Sequence, residues 1–188
     1  MTDDKPPSKH RLTGPSIFSQ LGSGWRSLQE SMPSNCQLTD SYPYAVRHNP
    51  AAYFTSVRTA CYAQDVPLGS TPDISARFTE ITPNVCNDTH DCPIETGDNW
   101  LSAFVPKILA SAEYKAGNTR LVITWDEDDY GTTNHIPTLV IAPSTVAGSR
   151  YGGALDHYSL LRTAQQLLGL PCLENSCSAA SMRAGFNL

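Results

Sequence analysis

No apolar run in the sequence approaches the roughly 18 residues that a membrane-spanning helix requires, so no transmembrane segment of that kind is expected. Charge is scarce: Asp, Glu, Lys and Arg make up 16% of the residues, and the net charge is only -5. The 13 Lys and Arg are scattered rather than gathered into a stripe, which argues against a nucleic-acid groove. There is no Gly-x-Ser-x-Gly elbow, no P-loop and no Gly-x-Gly-x-x-Gly fingerprint, so no residue is signalled as a serine-hydrolase nucleophile or a nucleotide cradle. Repeats and low-complexity tracts are also lacking. The opening MTDDKPPSKHRLTG is polar and has none of the apolar core of a signal peptide.

What is present begins with 188 residues, 40% of them hydrophobic, enough for one domain (1–188) with a proper core. Six cysteines permit 15 pairings. The simplest joins the near neighbours Cys86–Cys92 and Cys172–Cys177 and leaves Cys36–Cys61 as a longer loop. Disulfides imply an oxidising compartment, which conflicts with the polar opening: either the cysteines are reduced or the beginning of the protein is absent. A zinc site on Cys86, His90 and Cys92 is a further alternative, but a structural zinc wants four ligands at familiar spacings.

Residues 1–15 read as a polar segment. Ser16–Leu21 and Trp25–Ser31 read as short helices on either side of Gly22-Ser23-Gly24. Residues 32–99 are rich in Pro, Asn, Asp, Thr and Cys and show little periodicity, a length of loop that is unusual unless functional or tied down. Trp100, Leu101, Phe104, Val105, Ile108 and Leu109 recur at helical spacing, with Asp98 as a candidate N-cap and Pro106 expected to kink or restart the helix. Leu121–Trp125 and Thr138–Ala142 have the apolar, β-branched character of buried strands. Leu160, Leu161, Ala164, Leu167 and Leu168 form the apolar face of a helix that ends at Gly169, and 172–188 is a C-terminal tail. Helix, strand, strand, helix suggests an α/β sandwich with too few strands to be complete.

The sharpest chemical feature is Asp126-Glu127-Asp128-Asp129, directly after the strand Leu121–Trp125. In open α/β sheets, sites form beyond the carboxyl ends of strands, and two adjacent carboxylates there can hold a hard cation through oxygen. A solvated acidic turn is the plainer reading. Four histidines sit in short polar contexts: His48 before Asn49-Pro50, His90 between Asp88-Thr89 and Asp91, His135 before Ile136-Pro137, and His157 after Asp156. Imidazoles can bind metal, donate to phosphate oxygens or move protons near neutral pH. Singly each is more simply a structural or exposed residue, and Asp156 reads first as a helix cap.

Taken in order, Arg47-His48-Asn49-Pro50 with Tyr53-Phe54, Thr82-Pro83-Asn84 with Asp88-x-His90-Asp91, Gly97-Asp98 with Trp100-Leu101, Trp125-Asp126-Glu127 with Asn134-His135-Ile136-Pro137, and Asp156-His157-Tyr158-Ser159-Leu160-Leu161-Arg162-Thr163 resemble the phosphoesterase family of phospholipases C and acid phosphatases. That family belongs to the alkaline-phosphatase-like superfamily. The resemblance spans about Ser16 to Pro171. It implies a three-layer α/β/α sandwich and metal-dependent hydrolysis of phosphate mono- or diesters, with a small phosphate ester or phospholipid headgroup as substrate. It further implies that Asp126 and Glu127 are ligands of one or more divalent metal ions, and that His48 and His90 face the phosphate, one of them protonating the leaving alkoxide. Asp91, His135 and His157 are supporting or substrate-side candidates.

The sequence departs from the family pattern in one respect. The Glu-Asn metal motif and the Ser or Thr nucleophile lie upstream of anything that matches Ser16, and neither is found here. The expectation is therefore the C-terminal half of a secreted or cell-envelope phosphoesterase, incomplete at its N-terminus. The alternative is a non-catalytic fragment or remnant that binds an anionic ligand or packs against a partner chain.

Overall fold

In the computed structural model of the protein, residues 5–129 and 131–188 are described, and the chain divides into two units, Met1–Ser111 and Ala112–Leu188. It is a mixed α/β protein with a parallel sheet and helices.

In the first unit, helix α1 (Ile17–Leu21) starts at Ser16, whose hydroxyl accepts the Ser19 N–H while the Ser19 hydroxyl accepts the Ser16 N–H. The following segment, expected as a helix over Trp25–Ser31, is instead strand β1 (Trp25–Gln29). Its burial explains the difference. Trp25, Ser27, Leu28 and Gln29 are all buried, so both faces are covered and no amphipathic stripe exists. Strand β1 is the middle of a three-stranded parallel sheet, between β2 (Asp65–Pro67) and β3 (Phe78–Thr82), with Ser27 opposite both Asp65 and Glu80. All three strands end at one edge, at Gln29, Pro67 and Thr82. Beyond it the Glu30 N–H still donates to the Thr82 carbonyl at 2.9 Å.

The stretch 32–99, which has little visible periodicity, is filled by short elements. Three 3-10 turns, Val46–His48, Pro50–Ala52 and Thr55–Val57, lead into helix α2 (Arg58–Gln64). The Cys36–Cys61 disulfide ties the loop before them to α2. Met32, Tyr44, Val46, Ala52 and Tyr53 form a buried cluster, with Leu12 and Leu38 against it. Phe18 packs on Trp25 with ring centroids 4.8 Å apart. These loops stay ordered because they carry their own core.

Helix α3 (Ile94–Leu109) begins after Pro93, a turn earlier than the apolar spacing suggests. Asp98 therefore lies inside the helix and is not its N-cap. The helix also continues through Pro106 without restarting.

In the second unit, α4 (Ala112–Lys115) precedes an antiparallel pair, β4 (Leu121–Thr124) and β5 (Thr138–Ile141), with Leu121 opposite Ile141 and Thr124 opposite Thr138. Strand β4 is half-buried along its length rather than fully buried. Helix α5 (His157–Leu168) starts at Asp156, whose carboxylate accepts the Ser159 N–H at 2.8 Å, and ends at Gly169, whose φ of +67° suits a residue without Cβ. The segment 172–188 packs onto α5: Ser176 Oγ donates to Gln165, and the Met182 N–H donates to Thr163 Oγ1. It holds the Cys172–Cys177 disulfide and a last helix, α6 (Arg183–Phe186).

Candidate active-site residues

His48 ends the first 3-10 turn, and its Nδ1 lies 2.8 Å from Asp88 Oδ2. A carboxylate only accepts, so Nδ1 carries the proton and Nε2 is the ring nitrogen left for other chemistry. His90 repeats the arrangement: its Nδ1 is 2.7 Å from Asp91 Oδ1. The two rings lie with centroids 5.4 Å apart, tilted by 57°. The first unit thus brings His48, His90 and Asp91 together. Asp88, to which the motif assigned no role, is the residue that joins the two histidine segments. Its Oδ1 accepts the His90 N–H at 2.9 Å while Oδ2 meets His48. The spacing Asp88-x-His90 was the available signal, since an Asp commonly turns its carboxylate onto the N–H two residues on.

The loop that carries Asp88 and His90 is held at several points. The Cys86–Cys92 disulfide closes it, which leaves no thiolate for a zinc ion there and rules out the Cys86, His90, Cys92 zinc site. Asn84 Oδ1 accepts the N–H groups of Cys86 and Asn87, both at 3.1 Å, and the Asp91 N–H donates to the Val85 carbonyl at 2.7 Å. Helix α3 comes so close at Gly97 that an added Cβ would overlap Thr89 Cγ2 and stand 3.0 Å from the Asn87 carbonyl oxygen. Glycine is required here for approach rather than for a special φ.

In the second unit, the acidic run follows β4 by two residues. Its four carboxylates are not equivalent. Asp128 is committed to the loop: Oδ2 accepts the His135 N–H and Oδ1 the Gly131 N–H, both at 3.0 Å, while its own N–H donates to Asn134 Oδ1 at 2.9 Å. Asp126 and Glu127 are exposed, and among the described residues neither carboxylate has an ion-pair or hydrogen-bond partner. Uncommitted carboxylates of this kind fit a hard divalent cation, which oxygen ligands suit. The backbone beside them is anchored by His157, at the start of α5, whose Nε2 lies 2.7 Å from the Asp126 carbonyl and donates to it. That leaves Nδ1 of His157 unprotonated when the ring is neutral. The exposed His135 takes part here through its N–H rather than its ring.

Two other places are excluded. Cys36, Cys61 and Asp65 converge closely, but the two sulfurs are bonded to each other, so no thiolate is there to bind a metal. A cavity of about 430 Å³ lies along β5 and Val146–Ser149, and no carboxylate or imidazole lines it.

The phosphoesterase family model matches residues 1–171. The chain is 31% identical over 166 residues to a phosphatidylinositol-3-phosphatase of Mycobacterium tuberculosis, covering 84% of this chain and 54% of that protein. It is 27% identical over 178 residues to a phosphate-repressible acid phosphatase of Penicillium chrysogenum and 25% identical over 178 residues to an acid phosphatase of Aspergillus niger, in both cases covering 84% of this chain and 42% of the relative. The chain thus spans about half the length of the curated relatives it matches. No solved structure matches it. With its motifs in family order and the family match running over nearly all of its length, this chain belongs to the phosphoesterase family.

Proposed function

We propose that the protein to which this chain belongs hydrolyses phosphate mono- or diesters with the help of one or more divalent metal ions. The observation that carries the reading is the pair His48 and His90, each with Nδ1 held by an aspartate and each with Nε2 uncommitted, 5.4 Å apart at the ring centroids. Two imidazoles tethered in this way can meet neighbouring oxygens of one phosphate. As imidazolium, an Nε2–H donates to a phosphoryl oxygen and stabilises charge that develops there. The other can pass its proton to the departing alkoxide. The carboxylates of Asp88 and Asp91 hold each ring through its Nδ1–H, which leaves Nε2 as the nitrogen that takes up and releases the second proton.

Asp126 and Glu127 are the metal ligands in this reading, and Asp128 is the residue that shapes their loop. A bound divalent ion would withdraw charge from the phosphoryl group and lower the pKa of an oxygen nucleophile. His157 orients the Asp126 backbone; Asp91 orients His90; His135 is a substrate-side candidate. The family's Ser or Thr nucleophile and upstream metal ligands lie, in the same proposal, before the residues of this chain. The complete protein would then be a single domain with an alkaline-phosphatase-like three-layer sandwich. Three disulfides are compatible with a protein working outside the cytoplasm, and among the described residues no helix is long and apolar enough to cross a membrane. A phosphomonoester on a lipid headgroup is one substrate of the right chemistry, given the name of the mycobacterial relative.

The test is turnover of p-nitrophenyl phosphate and of p-nitrophenyl phosphocholine by this chain and by its full-length parent, with and without chelator. Activity in the parent should fall on chelation and in the Asp126→Ala, Glu127→Ala double variant. Full activity in that variant would remove the metal assignment. Absence of turnover by the parent, with binding of inorganic phosphate retained, would favour a non-catalytic anion-binding protein.

A further inference from the structure

We infer that Glu30 is the positioning residue of the histidine pair. Resting on the proposed phosphoesterase reading for its catalytic consequence, the assignment itself is geometric. Glu30 is the first residue past β1, at the edge where all three parallel strands end. Its Oε2 accepts the Asn84 N–H at 2.9 Å and the Asn87 side-chain amide at 2.9 Å, and its Oε1 accepts the same amide at 3.0 Å and the Trp100 Nε1–H at 2.9 Å. One half-buried carboxylate therefore gathers donors from the start and the middle of the Asn84–Asp91 loop and from helix α3.

The position of these donors in the loop gives the arrangement its purpose. The Cys86–Cys92 disulfide joins residues six apart and closes the loop, but it does not fix the loop against the sheet. Glu30 does: it holds Asn84 before the disulfide, Asn87 directly before Asp88, and Trp100 on the helix that closes over Thr89 through Gly97. Asp88 then meets His48 from a fixed loop. A carboxylate is suited to this task because every neighbour that reaches it is an N–H donor, and both of its oxygens only accept. The isosteric amide would turn an NH2 toward one set of those donors, breaking the network without changing its size.

The experiment uses the 188-residue chain with histidine labelled in nitrogen-15. In the wild type, His48 should appear as a single Nδ1–H tautomer with a slowly exchanging ring proton. In a folded Glu30→Gln variant, His48 should become a mixture of tautomers with fast exchange, and Asn87→Ala should do the same by removing the amide that meets both oxygens. Trp100→Phe removes one donor only and should leave the tautomer in place. In the turnover arm, kcat of the full-length parent should fall about 10- to 100-fold in Glu30→Gln with KM changed less than about twofold, the size of effect expected when the orienting partner of a reacting group is lost. An unchanged His48 signature in the folded Glu30→Gln and Asn87→Ala variants would overturn the assignment. So would loss of the folded state in both, which would make Glu30 a stability element. Absence of turnover in the wild-type parent would count against the phosphoesterase reading alone, because the tautomer measurement decides the role of Glu30 independently.

Discussion

His48 and Asp88, forty residues apart in the chain, meet through Nδ1 and Oδ2 at 2.8 Å, both largely shielded from solvent, with side-chain exposures of 23% and 17%. The pair fixes which nitrogen of His48 is free.

An Asp88→Asn variant tests that consequence. Asparagine can accept through oxygen but also offers an NH2, so His48 loses the acceptor-only partner that selects Nδ1–H. The expected outcome is a loss of about 10- to 100-fold in kcat of the parent protein, with thermal stability reduced by about 1 kcal/mol. Steady-state kinetics beside a denaturation curve separates the two effects. A variant with full kcat would show that the His48 tautomer does not matter to turnover.

Gly97→Ala should destabilise the protein although alanine favours helices. Helix propensity alone would contribute about 1 kcal/mol in favour of alanine. Against this, the new methyl would overlap Thr89 Cγ2 and press on the Asn87 carbonyl oxygen at 3.0 Å, and overpacking of this kind costs about 1–3 kcal/mol. The net result is a loss of up to about 2 kcal/mol, readable in urea denaturation. Adding Thr89→Ser, which removes the overlapping methyl, should recover part of it. A stabilised Gly97→Ala protein would contradict the close approach of α3 to the loop.

The sheet holds an acid row that should make stability fall as pH rises. Asp65, Ser27 and Glu80 stand opposite one another on β2, β1 and β3. Burial raises the Asp65 carboxyl to about 6 despite hydrogen bonds from Asn49 and Ser27. Burial, with the charge of Asp65 adding to it, raises Glu80 to about 8; its Oε2 is enclosed and unpaired although the residue keeps some surface. Both folded-state values lie above the unfolded ones, so the favourable contribution is complete below the unfolded pKa, near 4, and is lost as pH rises through the folded pKa. The window is about pH 4 to 6 for Asp65 and about pH 4.5 to 8 for Glu80. Glu80→Gln should remove the second part: it should gain on the order of 1 kcal/mol over the wild type at pH 8 and little at pH 5. Melting curves across that range check it. Equal effects at both pH values would show that Glu80 does not titrate in this window.

Much of the local structure was legible in the chain. Asp156 caps α5 and Gly169 ends it because caps and left-handed turns depend on residues a few positions apart. The strand before Asp126 was legible for a similar reason, as a short β-branched run with polar flanks. Trp25–Gln29 was not. Its central place in the sheet buries both of its faces, including Ser27 and Gln29, and erases the alternation by which a strand is recognised.

By itself the sequence determined the family, through ordered motifs, and singled out His48, His90, Asp126 and Glu127 as the residues to watch. The tertiary structure alone decided what each one touches. Glu30 meets Trp100 across seventy residues, and Asp88 meets His48 across forty. Likewise, of four adjacent carboxylates, Asp128 is taken by its own loop while Asp126 and Glu127 stay uncommitted. The physical reason is common to these cases. A side chain's residue type sets what it can donate or accept, but its partner depends on which distant segments the sheet and the loop ties bring within 3 Å or so of it.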